Sequence, residues 1–186
     1  METEDELREL EERWFPARLK HVKQLKSIIG TDNYTQFPSE VSLIYFEEIK
    51  NTFVYEAYVA CIILCQLLCA EVLKAPFSYE KDTEKAKIFT AGFSELINKN
   101  KKIGRIPKNI SKDLYKLKKI RDSFEHTKPP QTVINELNIG NPCLAELYSL
   151  RDYGTLEDET LFSIKLVFWL LDYIVPLPYD KKFDDS

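Results

Sequence analysis

Ala57-Tyr58-Val59-Ala60-Cys61-Ile62-Ile63-Leu64-Cys65-Gln66-Leu67-Leu68-Cys69-Ala70 is the most apolar run of the chain, 14 residues interrupted only by Tyr58 and Gln66 and bracketed by Glu56 and Glu71. A helix apolar on every face must be enclosed by other elements, so this run reads as the central helix of a core. It is shorter than the roughly 18 to 20 apolar residues a bilayer span needs, and no membrane association is expected. Cys61, Cys65 and Cys69 recur every fourth residue within it. With no CxxC pair and no histidine beside them, they read as small core hydrophobes rather than metal ligands or disulfide partners. Together with Cys143 they are expected as reduced thiols in a cytoplasmic protein, and no metal or cofactor is expected.

Working outward, the central helix is expected over Phe53–Lys74, stopped at Ala75-Pro76. On its N-terminal side, Ser39 is a plausible cap for a helix running to about Asn51. Before that, residues 4 to 29 are charged and helix-prone but interrupted by Pro16, which predicts a broken helix laid against the rest. His21, between Lys20 and Val22, reads as a surface residue. On the C-terminal side, Thr83 caps a helix whose stripe of Ile88, Phe89, Phe93, Leu96 and Ile97 ends near Asn100. Ser111 caps the next, with Leu114, Leu117, Ile120 and Phe124 on its apolar side. Residues 129–153 carry Pro, Asn and Gly breaks, an alternation at Thr132-Val133-Ile134 and a short helical pattern at Cys143–Leu150. The last helix opens at Thr155 or Asp158, carries Leu161, Ile164, Phe168, Leu171 and Val175 on one stripe, and ends at Pro176.

Strand-like alternation is nearly absent and only five glycines occur in 186 residues, which argues against a turn-rich β design. The expected fold is therefore all-α, an up-and-down four-helix bundle with an extra N-terminal helical segment. The division expected is 1–38 for the N-terminal segment, 39–178 for the bundle and 179–186 for a polar tail. A length of 186 residues suits one core, and the acidic start Met1–Glu6 is unlike a secretory signal.

Charge is segregated. The whole chain carries −4, yet Lys99–Lys128 holds 11 Lys or Arg against Asp113, Asp122 and Glu125, so this window is +8 and the remainder −12. A basic strip of this kind suits a phosphodiester backbone, and it equally suits a lysine-coated solvent face. It ends in Arg121-Asp122-Ser123-Phe124-Glu125-His126, ahead of Pro129-Pro130. At about 100° per residue, Arg121 and Glu125 share one helix face, and Asp122 and His126 the next. Proline forces the helix to stop at about Thr127, which leaves His126 in the last turn, where Asp122 and the negative helix end both favour the imidazolium. The same groups also make a purely structural network in which Arg121 meets Glu125 and His126 meets Asp122.

Arg121, a polar residue, three more residues and His126 resemble the signature of the HEPN superfamily. Phe53–Leu64 continuing through Leu68–Lys74 resembles that family's long helix. Phe93–Ile97, Ile103–Ile106 and Leu114–Arg121 are similar to the stretch leading into its motif. The likeness covers roughly residues 40 to 175, and the motif region is also similar to the mannitol operon repressor-like branch. The resemblance implies a HEPN-like four-helix bundle, usually a homodimer with two motifs facing each other. It implies a metal-independent endoribonuclease of toxin or host-defence type, with RNA as substrate and an antitoxin or regulatory protein as a further partner. His126 would exchange protons with the attacking or leaving oxygen as the 2′-hydroxyl attacks the phosphate, and Arg121 would hold the phosphate. Asp122 would orient His126 or bind the ribose. Lys116, Lys118, Lys119, Ser123 and Lys128 would bind RNA, with Glu71 a weaker site candidate. Glu125 and Thr127 depart from the small residue and glycine common at those places. The other implied function is a non-catalytic, dimerising regulatory or interaction module.

Overall fold

The computed structural model describes residues 2–30, 37–78, 82–125 and 153–174, and these are helical with no strand among them. The helices are α1 (Glu2–Ile29), α2 (Glu40–Val54), α3 (Tyr58–Lys74), α4 (Asp82–Phe89), α5 (Phe93–Lys102), α6 (Lys108–Glu125) and α7 (Tyr153–Ile174), with a 3-10 turn at Ala75–Phe77 after α3. The all-α class expected from the sequence is what the structure has. Residues 126–152 and 175–186, which include the Thr132–Ile134 alternation, the Cys143–Leu150 pattern, His126 and Lys128, lie outside the described residues.

The apolar run forms α3, the centre of the core. Cys61, Ile62, Cys65, Leu68, Cys69, Val72 and Leu73 are fully buried, and α3 packs most extensively on α2 and α7, then on α6 and α5. The three cysteines are free and buried, as their spacing suggested. Burial pushes the thiols of Cys65 and Cys69 above their ordinary value, because a thiolate has no solvent there. Tyr58–Phe77 forms 20 residues that are long and apolar enough, by length and composition alone, to cross a membrane, longer than the 14-residue run, and a packed core helix meets the same criterion. Half of that stretch is buried within the protein.

The central helix also starts later than predicted. Between α2 and α3 the chain turns at Tyr55-Glu56-Ala57, where Glu56 takes φ 59°. The Glu56 N–H donates to the Phe53 carbonyl at 3.1 Å and the Ala57 N–H to the Thr52 carbonyl at 2.8 Å. These are the two bonds that close a helix through a left-handed residue, a place glycine usually takes. No glycine or proline marks the spot, so the sequence pattern runs the helix straight through it. Ser39 does cap α2, its Oγ accepting from the Ser42 N–H at 3.2 Å.

Four further expectations shift. Pro16 lies inside a continuous α1 rather than breaking it; it is exposed, so water can serve the carbonyl that its missing N–H leaves unbonded. The predicted helix from Thr83 to Asn100 is two helices, α4 and α5, separated at Thr90-Ala91-Gly92, and the break leaves Phe89 exposed while Ile88, Leu96 and Ile97 stay buried. Helix α6 begins at Lys108, directly after Pro107, so Ser111 is a buried residue of its first turn, and its N–H donates to the Pro107 carbonyl at 3.0 Å. Helix α7 begins at Tyr153 rather than at Thr155 or Asp158. Its Ile164, Phe168 and Leu171 are buried as predicted.

Candidate functional site

Helix α6 presents two faces with opposite roles. Ile110, Leu114, Leu117 and Ile120 are buried, and Phe124 packs on them half-buried, which fixes the helix against α3 and α5. The other face is solvent. Lys108, Lys112, Lys116 and Lys119 are exposed along α6, and Lys101, Lys102 and Arg105 are exposed on the end of α5 and the turn that follows. None of these seven pairs with a carboxylate among the described residues, whereas Lys99 pairs with Glu95 at 3.1 Å. The Tyr115 hydroxyl donates to Asn98 Oδ1 at 3.0 Å, which ties α6 to α5. Lys116 Nζ lies 4.2 Å from the centre of the Phe162 ring, so this cation is steadied on α7 without being neutralised.

At the C-terminal end of α6, Asp122 is clasped by two cations. Lys118 Nζ, one turn earlier, donates to its Oδ2, and Arg121 donates from a terminal guanidinium nitrogen to Oδ1 at 3.2 Å. Desolvation alone would raise the Asp122 pKa, but the hydrogen bonds from Lys118 and Arg121 outweigh it and hold the carboxyl below its ordinary value. Asp122 is therefore an anion at neutral pH, able to accept hydrogen bonds and orient a neighbour, unable to donate a proton. Arg121 and Asp122 are each about one-quarter exposed, so the pair sits at the surface rather than inside the core. Ser123 Oγ donates to the Ile120 carbonyl at 2.5 Å.

The structure thus brings Lys118, Arg121 and Asp122 together, with Lys116 and Lys119 on the adjoining solvent face. His126 and Lys128 lie outside the described residues, and so does the side chain of Glu125. Glu71, the weaker candidate, is on α3 and bonded to Lys74 at 2.8 Å.

A second titratable cluster was missed. His21 is buried rather than on the surface, with 2% of its area exposed. Its Nε2 shares a hydrogen bond with the Tyr58 hydroxyl at 3.1 Å, and carboxylate oxygens of Glu56 and Glu157 stand 3.8 and 3.9 Å from its two nitrogens. Its ring meets Phe53 edge-on at 4.9 Å. The signal was available: His21 lies four residues before Leu25, on the one face of α1 that enters the core, while Lys20 and Lys23 flank it on other faces. Lys20 and Gln24 both donate to Glu157, at 2.7 and 3.0 Å, and these bonds hold the Glu157 carboxyl below its ordinary value. This cluster joins α1, α7 and the α2–α3 turn. No protein-family model, curated protein or solved structure matches the chain.

Proposed function

We propose that the cationic face of α5 and α6 is an RNA-binding surface, and that Arg121 with His126 forms a HEPN-like, metal-independent ribonuclease site at its end. The observation that carries this reading is the row of exposed lysines without carboxylate partners among the described residues, on a chain whose net charge is −4. An acidic protein already draws solubility from its acids, so a concentrated basic face suits a polyanion. A phosphate arriving at the end of α6 competes with Asp122 for Arg121 and leaves Asp122 bound by Lys118. Arg121 then steadies the phosphate charge while His126 exchanges the proton of the 2′-hydroxyl. The four-helix HEPN-like bundle, the cytoplasmic location, and a toxin or defence role with an antitoxin or regulatory partner belong to the same proposal.

One observation favours a second reading, a non-catalytic regulatory or interaction module: Arg121 and Lys118 are both already committed to Asp122. The test is end-labelled single-stranded RNA incubated with the full chain in EDTA. Cleavage leaving a cyclic phosphate, abolished in folded Arg121→Ala and His126→Ala proteins, supports the nuclease. RNA binding without cleavage, weakened by Lys116→Glu with Lys119→Glu, supports the second reading. Absence of both binding and cleavage defeats the nuclease and the RNA-binding surface, and leaves a module whose partner is a protein.

A further inference from the structure

The first half of α1 carries an apolar stripe that its own bundle does not use. Every residue from Arg8 through Pro16 is exposed, Ala17 is the first after them that is half-buried and His21 the first that is buried. Leu10 and Trp14 nevertheless keep 47% and 45% of their area exposed on the same helical face that His21 and Leu25 carry into the core. The packing face of the helix therefore runs on for about three turns past the place where its bundle ends.

The charges along the same helix are sorted. Residues 2–12 hold seven acids against the single base Arg8, and residues 13–29 hold five bases and no acid. Within one helix this order complements the macrodipole. Between two copies it has a further consequence: antiparallel contact sets the acidic half of each helix against the basic half of the other, whereas parallel contact sets like charge on like.

We infer that the exposed half of α1 is a docking surface for a second copy of this chain, which binds through an antiparallel pairing of the two α1 helices. Leu10 packs on the partner's Trp14, and Trp14 on the partner's Leu10. Glu4, Glu11 and Arg18 follow one another at seven-residue intervals on one flank of that stripe. Antiparallel helices bring equivalent flanks together, so with this register Glu4 meets the partner's Arg18, twice over by symmetry, and these two attractions outnumber the single like-charge approach of the two Glu11 side chains at the two-fold axis. Arg18 is held for this contact: its guanidinium carbon stands 4.6 Å from the centre of the Tyr55 ring, a stacking that occupies the flat face and leaves the N–H edges available. This interface lies on α1 and does not depend on the RNA reading of α6.

The test is sedimentation equilibrium on the full chain over a range of concentrations, with circular dichroism to verify that each variant is folded. The wild-type protein is expected to form dimers, and Trp14→Glu to remain monomeric where the wild type is dimeric. Glu4→Lys and Arg18→Glu are each expected to weaken dimerisation about tenfold, since two surface pairs turn repulsive. An equimolar mixture of the Glu4→Lys and Arg18→Glu chains is expected to regain wild-type association, because each mixed pair then joins opposite charges at both contacts. A wild-type chain that stays monomeric, a dimer indifferent to Trp14→Glu, or a mixture no tighter than its components would overturn the inference.

Discussion

The Tyr58 hydroxyl lies 3.1 Å from Nε2 of His21, so the first residue of the core helix is hydrogen-bonded to a residue 37 positions earlier, on the helix that reaches in from outside the bundle. Both residues are at most 3% exposed. Removing the hydroxyl while keeping the ring isolates this bond. Tyr58→Phe is expected to cost about 1 to 3 kcal/mol of unfolding free energy, the penalty for leaving a buried polar partner unsatisfied, read from chemical denaturation. An unchanged midpoint would show that the contact contributes nothing to holding α1.

Glu56 occupies a left-handed backbone conformation with φ 59° at the end of α2. Two substitutions that both delete the carboxylate separate backbone from side-chain effects. Glu56→Gly is expected to be more stable than Glu56→Ala by about 1 kcal/mol, because only glycine enters this region without a Cβ penalty. Equal stabilities would mean that the turn relaxes out of that conformation.

Asn100 is fully buried on α5, and its Nδ2 donates at 2.9 Å to the carbonyls of Leu73 and Leu96. Leu73 is in the last turn of α3, where carbonyls lack helical partners. Asn100→Leu is expected to destabilise by about 1 to 3 kcal/mol despite being more apolar, since a buried carbonyl is stranded. A neutral or stabilising result in thermal unfolding would count against this role.

Glu157 is held below its ordinary value of 4.5 by its bonds to Lys20 and Gln24. A carboxyl with a folded pKa below its unfolded one adds stability that is complete above the unfolded value and is lost as pH falls through the folded value. The stability difference between wild type and Glu157→Gln is therefore expected to be full at pH 7, to shrink below about pH 4.5 and to vanish in stronger acid. Denaturant titrations at a series of pH values test this; a gap that widens with acid would reverse the sign.

Much of the fold was legible because it depends on local periodicity. The core helix within Ala57–Ala70, the buried cysteines, the Ser39 cap and the apolar stripe of α6 were each readable from local pattern, although α3 leaves Ala60 and Leu67 exposed where its all-round apolarity predicted enclosure on every face. The segregation of basic residues between Lys99 and Lys128 was equally legible, since it is a count along the chain. What the spacing could not supply were features settled by contacts between distant segments. The turn at Glu56 has no glycine or proline to announce it. The helical spacing puts His21 on the Leu25 face, but which groups enclose it was settled only by Phe53, Tyr58 and Glu157 closing around it. The commitment of Lys118 and Arg121 to Asp122 was missed for a different reason, a choice among several carboxylates within reach. Local pattern therefore determined which helices form and which faces are apolar. Only tertiary packing decided where they break, which polar groups they enclose and which cations remain for a partner, because burial and ion pairing depend on what the rest of the chain brings alongside.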